Sequence, residues 1–571
     1  MNKKQIIGEL EMIAIYMEIK GENSFKVSAY RKAAQSLESD ERTLAEINDV
    51  SKLKGIGKAT ATVIEELISS GKSSLLEELK AEMPEGLIPL LKLPGLGGKK
   101  IGKLYQELDV IDVTTLKQAC LAGKVQALAG FGKKTEEKIV AAIEEFGKQP
   151  ERLPIAQVLP IAKKIEAILA KLVGISQFSR AGSLRRYRET VKDLDYIIAS
   201  SDPEIVREQL LNFENIGEVI ASGETKVSIQ LELDEVRMSV DFRIVKEAEF
   251  ATALHHFTGS KDHNVQLRQI AKERGEKISE YGVENIETGE ITTFDSEEQF
   301  FNHFGLQFIP PEVREANGEI EAWQKLNQLI SVKDIRGDCH MHSTWSDGAN
   351  SIEEMAEAAR KKGYSYIAIT DHSKFLKVAN GLSVARLEKQ HQEIARLNKK
   401  WDDFKIFTGV EMDILPDGSL DYDDDVISGV DFVIASIHSA FSQDKQLIME
   451  RLTNALESHH VDLIAHPTGR IIGRRPGYDV DIDDLIEIAK KTNTALELNA
   501  NPNRLDLAPN WLKKAQAKGV KLMVNTDAHS VEMLNDIVIG VGSARKGWLK
   551  KESVINTWDL VDVVKYLNRN N

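Results

Sequence analysis

Residues 180–198 read RAGSLRRYRETVKDLDYII and combine a Gly-Ser turn with two aspartates on an apolar run. The aspartates, Asp193 and Asp195, are two positions apart, so a β-strand would place both on one face. A third acid, Asp241, lies in a second strand-like run, VRMSVDFRIV at 236–245. If the two strands are neighbours, three carboxylates converge, which buried like charges tolerate only around divalent cations. The stretch therefore predicts a two-metal site for phosphoryl transfer.

The turn that precedes the aspartates is suited to bind phosphate. Gly182 and Ser183 offer backbone N–H groups and a hydroxyl, and Arg185 and Arg186 offer guanidinium donors. A lone Asp-x-Asp pair has a solvated acidic hairpin as its alternative interpretation. Here the turn, the arginines and a further predicted strand, KVSIQLEL at 226–233, occur together. We therefore predict a nucleotidyltransferase that binds a triphosphate.

Three short stretches in the helical N-terminal region resemble one another: LKGIGKAT at 53–60, LPGLGGKK at 93–100 and LAGFGKKT at 128–135. Each has an apolar residue between two glycines, then a lysine, and leads into a helical pattern, as in the helix-hairpin-helix motif. The glycines let the backbone approach a phosphate, and the helix N-terminus directs N–H groups toward it. One copy is explained by an ordinary helix cap, but three copies indicate DNA binding. The predicted contacts are Gly55, Gly57, Lys58, Gly95, Gly97, Lys99, Gly130, Gly132 and Lys133.

The composition changes near residue 334, because nine of the thirteen histidines lie beyond it. Many of them stand at the ends of strand-like runs, such as RGDCHMHS at 336–343 and VDLIAHP at 461–467. Helical patterns such as SIEEMAEAARKKG at 351–363 separate these runs, which predicts a (β/α) barrel with its active site at the C-terminal strand ends. Histidines and carboxylates without a thiolate predict Zn²⁺, Mn²⁺ or Fe²⁺ in a multinuclear hydrolytic site.

The whole-chain composition sets broad limits. A chain of 571 residues is too long for one core, so several domains are expected. The net charge of −15 argues superficially against a nucleic-acid partner, but local lysine placement is more informative. Two cysteines far apart in sequence fit a reduced cytoplasm, which is the expected location. Glutamates interrupt the apolar N-terminal run, so we predict neither a signal peptide nor a membrane span.

Motifs around the aspartates make this sequence resemble the family X DNA polymerases. Arg152-Leu153-Pro154 opens the region, and Phe257-Thr258-Gly259-Ser260 follows the third aspartate. The resemblance implies Mg²⁺ or Mn²⁺ on Asp193, Asp195 and Asp241. It implies nucleotide contacts by Arg152, Gly182, Ser183, Arg186, Phe257, Gly259, Ser260, Asn264 and Arg268. The chain departs from many members at His256, where they carry a tyrosine next to the nucleotide sugar.

FKVSAYRKAAQSL at 25–37 resembles the small N-terminal domain of polymerase beta, which binds the downstream 5′ end of gapped DNA. The matching residues, which are predicted to contact DNA, are Lys26, Tyr30, Arg31 and Lys32. The family's Schiff-base lysine falls on Val63 here, and a second helper lysine falls on Ala59. Because a valine cannot form an imine, we predict 5′-phosphate binding without lyase chemistry.

The histidine-rich region resembles the PHP (polymerase and histidinol phosphatase) domain through its H-x-H, T-D-H and D-A-H elements. The resemblance implies a trinuclear metal site. Its nine ligand positions are His340, His342, Asp347, His372, Glu411, His438, His466, Asp527 and His529. The order of small domain, palm, thumb and PHP is that of the bacterial-type family X polymerases. In that group the PHP domain is associated with Mn²⁺-stimulated 3′-5′ exonuclease and abasic-site endonuclease activity.

We therefore predict a multidomain α/β protein with a helical N-terminal part, a nucleotidyltransferase palm and thumb, and a distorted (β/α)7-type barrel. The predicted parts are a small DNA-binding domain at 1–75, helix-hairpin-helix fingers at 76–150, the palm at 151–250, the thumb at 251–316, a linker at 317–333 with a helical pattern, and the PHP domain at 334–571.

The predicted function is gap filling by a repair DNA polymerase with a fused nuclease. Its predicted partners are gapped or primer-template DNA and deoxynucleoside triphosphates, without a membrane, and we expect a monomer. One alternative is a small-molecule phosphoesterase fused to a template-independent nucleotidyltransferase. The other is a DNA-tethering protein whose two sites are vestigial.

Overall fold

The computed structural model of the protein describes residues 3–40, 44, 47, 49–93, 95–146, 152–233 and 236–569. By their contacts, the residues form two compact units. One contains residues 1–151 with two loop segments, 342–351 and 371–390, and the other contains the rest of the chain. The predicted boundary between residues 150 and 151 lies outside the described residues. Among those described, no helix has both the length and the apolar composition needed to cross a bilayer.

The described N-terminal residues form helices without strands. The α-helices are α1 (Lys3–Lys20), α2 (Ser24–Ser39), α3 (Lys58–Ser70), α4 (Ser74–Ala81), α5 (Gly98–Leu108), α6 (Val113–Leu121) and α7 (Lys133–Phe146), with 3₁₀-helices at Val50–Lys52 and Glu85–Lys92. Apolar residues at helical spacing, including Leu10, Leu37, Ile64 and Leu104, pack into one core. The predicted helical N-terminal region is confirmed.

The palm is a five-stranded sheet in the order β2-β4-β7-β6-β5. Its elements are β1 (Leu153–Pro154), α8 (Ile155–Leu169), β2 (Gln177–Arg180), α9 (Gly182–Arg185), β3 (Thr190–Val191), β4 (Asp193–Ala199), α10 (Pro203–Leu211), β5 (Ile216–Ser222), β6 (Lys226–Leu233) and β7 (Val236–Val245). Strands β4 and β7 are parallel, whereas the other pairs in this sheet are antiparallel. Both runs predicted as strands, 226–233 and 236–245, are confirmed.

The thumb follows as a helical pair and a small antiparallel sheet. Its elements are a 3₁₀-helix (Glu247–Glu249), α11 (Phe250–Thr258), α12 (Lys261–Glu273), β8 (Glu276–Ile278), β9 (Val283–Asn285), β10 (Ile291–Thr292) and α13 (Glu297–His303). Aromatic residues fill its core, where Phe294, Phe300 and Phe304 meet edge to face.

The segment after the thumb does not form the regular helix that its pattern predicted. It consists of turns and 3₁₀-helices at Pro311–Val313, Trp323–Gln328 and Val332–Asp334. Gly318, at a φ of +89°, interrupts any helix. Ile320, Leu326 and Leu329 pack into the thumb core, so tertiary packing sets the path of this segment.

The C-terminal domain is a parallel sheet of seven strands in sequential order. The strands are β11 (Gly337–Asp338), β12 (Tyr366–Ile369), β13 (Lys405–Asp413), β14 (Phe432–Ser436), β15 (Leu463–Ile464), β16 (Ala495–Asn499) and β17 (Leu522–Asn525). A bridge between Met341 and Ala528 joins the chain just beyond the first and last strands, so the sheet is a nearly closed barrel. The predicted distorted seven-stranded barrel is confirmed.

Helices follow and surround these strands. They are α14 (Ile352–Lys361), α15 (Val384–Leu397), α16 (Asp424–Ile427), α17 (Lys445–Glu457), α18 (Ile482–Thr492), α19 (Pro509–Lys518), α20 (Ile537–Lys546) and α21 (Leu560–Leu567). Short 3₁₀-helices lie at Lys377–Ala379, Asn398–Lys400, Glu532–Asp536, Lys551–Ser553 and Ile555–Thr557. All the residues of β12 are buried, as expected for a parallel sheet covered on both faces.

Candidate active sites and nucleic-acid interface

The three predicted catalytic aspartates lie on two neighbouring palm strands. Asp193 and Asp195 are the first and third residues of β4, and the parallel register places Asp195 directly beside Asp241 on β7. Burial raises the pKa of Asp195 to about 7, and the charges of Asp193 and Asp241 add to this effect. This concentration of negative charge fits a divalent cation, because carboxylate oxygens are its preferred ligands.

Lys226 is a residue of this site that the sequence motifs did not single out. It begins β6, and its Nζ lies 2.7 Å from Oδ2 of Asp241. The same strand places Ser228 beside Asp241. The sequence holds no signal for the contact, because it depends on the register between β6 and β7.

The Gly-Ser turn lies against the acids. Gly182 begins α9 at a φ of +60°, and a Cβ atom there would lie only 2.1 Å from Oδ2 of Asp195. Only glycine permits this approach of backbone to carboxylate. The Ser183 Oγ is buried, and among the described residues it has no hydrogen-bond partner. A phosphate oxygen would satisfy it, which is the expected property of a phosphate-binding hydroxyl.

The two arginines of the turn have different environments. Arg186 donates from Nε to Oε1 of Glu315 at 3.2 Å and from Nη1 to the carbonyl of Thr258. Arg185 instead forms a buried ion pair with Glu297, with Nη2 and Oε2 2.5 Å apart. The Arg185 guanidinium therefore joins the palm to the thumb in this structure, and its contact with phosphate stays a prediction.

The remaining predicted nucleotide contacts lie mainly around the junction of α11 and α12. The Arg243 guanidinium stacks over Phe257 at 4.7 Å from the ring centroid. Ser260 caps α12 by accepting from the backbone N–H of His263, and Gly259 precedes it. Asn264 donates to the carbonyl of His256 at 2.8 Å.

Two further predicted contacts are exposed arginines. Arg268 lies on the exposed surface of α12. Arg152 donates to the hydroxyl and carbonyl of Thr190 at 3.1 and 2.6 Å, which fixes it beside the strand that leads into the aspartates.

The predicted PHP ligands gather at the C-terminal ends of the barrel strands in three overlapping groups. Within each group, the potential ligand atoms lie within 4.8 Å of one another. The groups are His342, Asp347, His372 and His529; His340, His342 and Asp527; and His372, Glu411 and His438. The ninth predicted ligand, His466, lies with its Nε2 3.0 Å from Oε1 of Glu411. Three groups of nitrogen and oxygen donors fit a trinuclear site for borderline-hard divalent ions.

Carboxylates behind the histidines were missed by the sequence analysis. Glu497 on β16 accepts from Nδ1 of His340 at 2.8 Å, and Asp413 on β13 lies 3.3 Å from Nδ1 of His438. Burial alone would lower the pKa of His438, but the charges and hydrogen bonds of Glu411 and Asp413 raise it to about 10. Such carboxylates orient the ligating rings and supply negative charge. A signal for this role is present in the sequence: Glu497 is an acidic residue in the middle of a mostly apolar strand that ends at the site.

The three predicted hairpins share one geometry. Their first glycines, Gly55, Gly95 and Gly130, have φ values of +102°, +82° and +90°. Their second glycines, Gly57, Gly97 and Gly132, directly precede α3, α5 and α7, and the lysines Lys58, Lys99 and Lys133 are exposed. The apolar residue between each glycine pair is buried. Each hairpin thus presents a helix N-terminus and a lysine to solvent, as a phosphate contact requires.

The residues that match the small polymerase domain differ in exposure. Lys26 and Arg31 lie on the exposed side of α2, where Arg31 contacts Glu18 with Nη2 and Oε2 2.8 Å apart. Tyr30 is buried in the helical core. Its ring therefore packs the domain, and its exposed neighbour Lys32 is the better placed of the two to meet a phosphate.

Family models match most of the chain. They describe a helix-hairpin-helix domain at residues 1–73, a SAM-like helix-hairpin-helix tandem at 87–145, a DNA polymerase beta thumb at 253–315 and a PHP domain at 338–501. The chain is also 63% identical over 570 residues to the DNA polymerase/3′-5′ exonuclease PolX of Bacillus subtilis (strain 168), with all of both chains covered. The chain belongs to the bacterial family X DNA polymerases.

Other relatives of this family X polymerase match a smaller part of it. A "probable phosphatase" of Thermoanaerobacter sp. (strain X514) is 29% identical over 241 residues, which is 40% of this chain and 93% of that protein. A "probable phosphatase" of Caldanaerobacter subterraneus is 29% identical over 203 residues, 34% of this chain. Membership of the family makes the chain an enzyme that depends on divalent metal ions. Both the palm acids and the barrel clusters suit such ions.

Proposed function

We propose that the chain is a DNA polymerase that fills short gaps in DNA repair and carries a metal-dependent 3′-5′ exonuclease in its PHP domain. One observation carries the proposal: Asp195 pairs in register with Asp241 beside the Gly182 turn, in a chain 63% identical to a polymerase/exonuclease over its full length. Its substrates are gapped or primer-template DNA and deoxynucleoside triphosphates. We propose that it acts as a monomer in the cytoplasm, where its buried, free thiols of Cys120 and Cys339 stay reduced.

Each predicted domain is assigned one part of the proposed function. Residues 1–75 bind the downstream 5′ end, 76–150 bind the phosphate backbone, 151–250 hold the polymerase metals, 251–316 contact the nascent pair, and 334–571 carry the nuclease. The hairpin glycines and lysines support backbone binding, since all three present exposed helix N-termini.

In the palm, Asp193, Asp195 and Asp241 are suited to hold Mg²⁺ or Mn²⁺. When bound, such ions activate the attacking oxygen and stabilise the leaving group. Asp241 stands alone on β7, so we assign it to the primer 3′-hydroxyl, and the pair on β4 to the nucleotide.

The incoming nucleotide is bound from two sides. Ser183, Arg152 and Arg186 are assigned to the triphosphate, because a hydroxyl and two guanidinium groups are donors suited to phosphate oxygens. Gly182 offers its backbone N–H to the phosphates, and the remaining nucleotide contacts are assigned to Phe257, Gly259, Ser260, Asn264 and Arg268. The imidazole of His256 faces the sugar as a neutral group, because burial lowers its pKa.

In the PHP domain, the nine ligands are suited to hold Mn²⁺, Zn²⁺ or Fe²⁺. When bound, such ions lower the pKa of a water molecule so that it can attack a phosphodiester. Glu497 and Asp413 orient His340 and His438 for this purpose. The same site would open DNA at abasic positions as well as shorten a 3′ end.

A primer-extension assay on a 5′-phosphorylated one-nucleotide gap with Mn²⁺ tests both sites on one substrate. We expect extension with nucleotides and 3′ shortening without them. Asp193→Ala or Asp241→Ala is expected to abolish extension and keep shortening, and the pair His340→Ala, His342→Ala is expected to do the reverse. Extension by the aspartate variants would contradict the palm assignment. If the wild type shows neither extension nor shortening but rapidly hydrolyses histidinol phosphate, the small-molecule alternative is favoured.

A further inference from the structure

The palm and the PHP domain meet along a seam within one compact unit. We define the palm–PHP seam as residues 186–189 of the palm, Glu312 and Glu315, and, on the PHP side, Arg470 and helix α20. The seam is held by several ion pairs. Arg470 pairs with Glu189, with Nη2 and Oε1 2.7 Å apart, and Arg545 of α20 pairs with Glu312 at 2.9 Å.

The last residue of α20, Lys546, reaches into the polymerase half. Its Nζ lies 2.6 Å from Oε1 of Glu315 and donates to the backbone carbonyl of Arg186 at 3.3 Å. The side chains of Lys546 and Glu315 are only 13% and 15% exposed. At such burial an ion pair is weakly screened by salt, and loss of one partner leaves an uncompensated charge.

Glu315 is shared between Lys546 and the arginine that we assign to the triphosphate. The same Oε1 atom accepts from Nε of Arg186 at 3.2 Å, and Oε2 lies 3.8 Å from Nη1 of Arg188. Although burial alone would raise the pKa of Glu315, Lys546 and the two arginines hold it below its usual range, so the carboxylate stays ionised. Lys546 therefore partly neutralises the Glu315 carboxylate, which would otherwise pair with the arginines alone.

The backbone next to Arg186 is also fixed from the PHP side. Tyr187 has a φ of +52°, and its ring lies against α20 at Gly542, where a Cβ atom would come within 2.3 Å of the ring. A non-glycine residue in the left-handed region is held there by its surroundings. The contact with Gly542 is one such constraint on the chain that presents Arg186.

We propose that Lys546 of the PHP domain is a positioning residue of the polymerase site. Through Glu315 and the Arg186 carbonyl, it holds the Arg186 guanidinium ready for the triphosphate and offsets the pull of Glu315 on it. The inference rests on the proposed role of Arg186. Without the lysine, the Glu315 carboxylate competes with the nucleotide phosphate for Arg186, so nucleotide binding weakens while the chemical step is less affected.

Lys546→Met in the full-length protein tests this inference by single-nucleotide insertion into gapped DNA. We expect the KM for the nucleotide to rise about tenfold, the range of a coupled buried pair, while kcat changes less than about threefold. Exonuclease rates without nucleotides are expected to stay unchanged, since Lys546 is not among the barrel ligands. Lys546→Arg is expected to restore most of the affinity. An unchanged KM in Lys546→Met, with Arg186→Met defective, would overturn the inference.

A matched control and a double variant separate the two hypotheses. Lys513→Met removes another lysine of this region, whose Nζ lies 4.0 Å from the centroid of the Trp548 ring, and is expected to leave KM unchanged. Arg186→Met with normal KM would refute the proposed role of Arg186 itself. If both hypotheses hold, adding Lys546→Met to Arg186→Met raises KM no further, whereas additive effects refute the positioning role. Should Lys546→Met fail to fold, Lys546→Gln keeps a donor for Glu315 without the charge and carries the same expectation.

Discussion

At the scale of single residues, both sites depend on how closely a backbone or a carboxylate approaches a functional group. Glu497 illustrates this in the barrel, because it accepts from Nδ1 of His340 and from the backbone N–H of His466, both at 2.8 Å. Gly182 illustrates it in the palm, where the chain passes directly beside Asp195. Such contacts position the ligands before any substrate binds.

Gly182→Ala is expected to lower nucleotide insertion by about 100-fold, because the added methyl group displaces the Asp195 carboxylate by an ångström or more. Gly275→Ala is the control. Gly275 has a similar φ of +73°, but a Cβ atom there meets nothing within 4 Å. The control thus carries the same backbone strain of about 1 kcal/mol without the clash. Equal insertion rates in the two variants, measured on gapped DNA, would show that the contact with Asp195 is unimportant.

At the scale of elements, helix α20 serves both the barrel and the palm. Its buried residues include Ile539, which packs into the palm core together with Leu505. Just before the helix, Asp536 is partly buried opposite Lys163 of α8. Burial raises the pKa of Asp536 to about 6, with Lys163 opposing the rise.

This raised pKa predicts how stability depends on pH. Well below pH 4, Asp536 is protonated in both the folded and unfolded states and has no effect. Between about pH 4 and pH 6 the unfolded state is ionised while the buried acid still holds its proton, so the folded state loses stability as the pH rises. Above about pH 6 the acid is ionised in both states and the loss is complete. Asp536→Asn is therefore expected to stabilise the protein by about 1–2 kcal/mol at pH 8 and by less at pH 5.

Thermal unfolding at pH 5 and pH 8 measures this difference. Asp402→Asn, at an exposed loop position before β13, is the control and is expected to give no gain at either pH. A gain for Asp536→Asn that is equal at both pH values would contradict the explanation by burial.

At the scale of the whole molecule, the palm, thumb and PHP domain belong to one compact unit, apart from two barrel loops grouped with residues 1–151. Synthesis and 3′ shortening thus reside in parts that share a hydrophobic core and several partly buried ion pairs. We expect the N-terminal domain to contact DNA phosphates without a reaction of its own. The position that the resemblance gives to the Schiff-base lysine is Val63, which is buried with Ile64 and Leu67 in α3.

We therefore expect no covalent adduct between the protein and the abasic sugar at a 5′ end. Borohydride trapping on an incised abasic site measures this, with a lyase-proficient polymerase as the positive control. The protein is nevertheless expected to bind 5′-phosphorylated gaps, because phosphate contacts by the exposed Lys32 and Lys58 do not require imine formation. An adduct mapped to any lysine of residues 1–75 would contradict the prediction.

The sequence by itself determined the features that depend on local order. The strand-like runs at 226–233 and 236–245 predicted β6 and β7 with their observed bounds. The spacing of Asp193 and Asp195 predicted a shared face on β4. The region of the barrel site could be predicted because many of its histidines stand at the ends of strand-like runs, and parallel strands bring their C-terminal ends together. The full set of nine ligands came from the resemblance to the PHP domain. The three hairpins could be predicted because glycine, lysine and helix start lie within eight residues of one another. In each case the signal is a residue type at a fixed place in a short local pattern.

Only the tertiary structure decided how distant charges pair. Arg185 and Glu297 are 112 residues apart, and Glu315 and Lys546 are 231 residues apart. No periodicity relates such positions, so the sequence alone did not show that Arg185 and Glu297 form an ion pair. The segment after the thumb likewise has a helical pattern but follows the packing of Ile320 and Leu326. Charge pairing and core packing depend on which surfaces meet, and that is fixed only when the whole chain has folded.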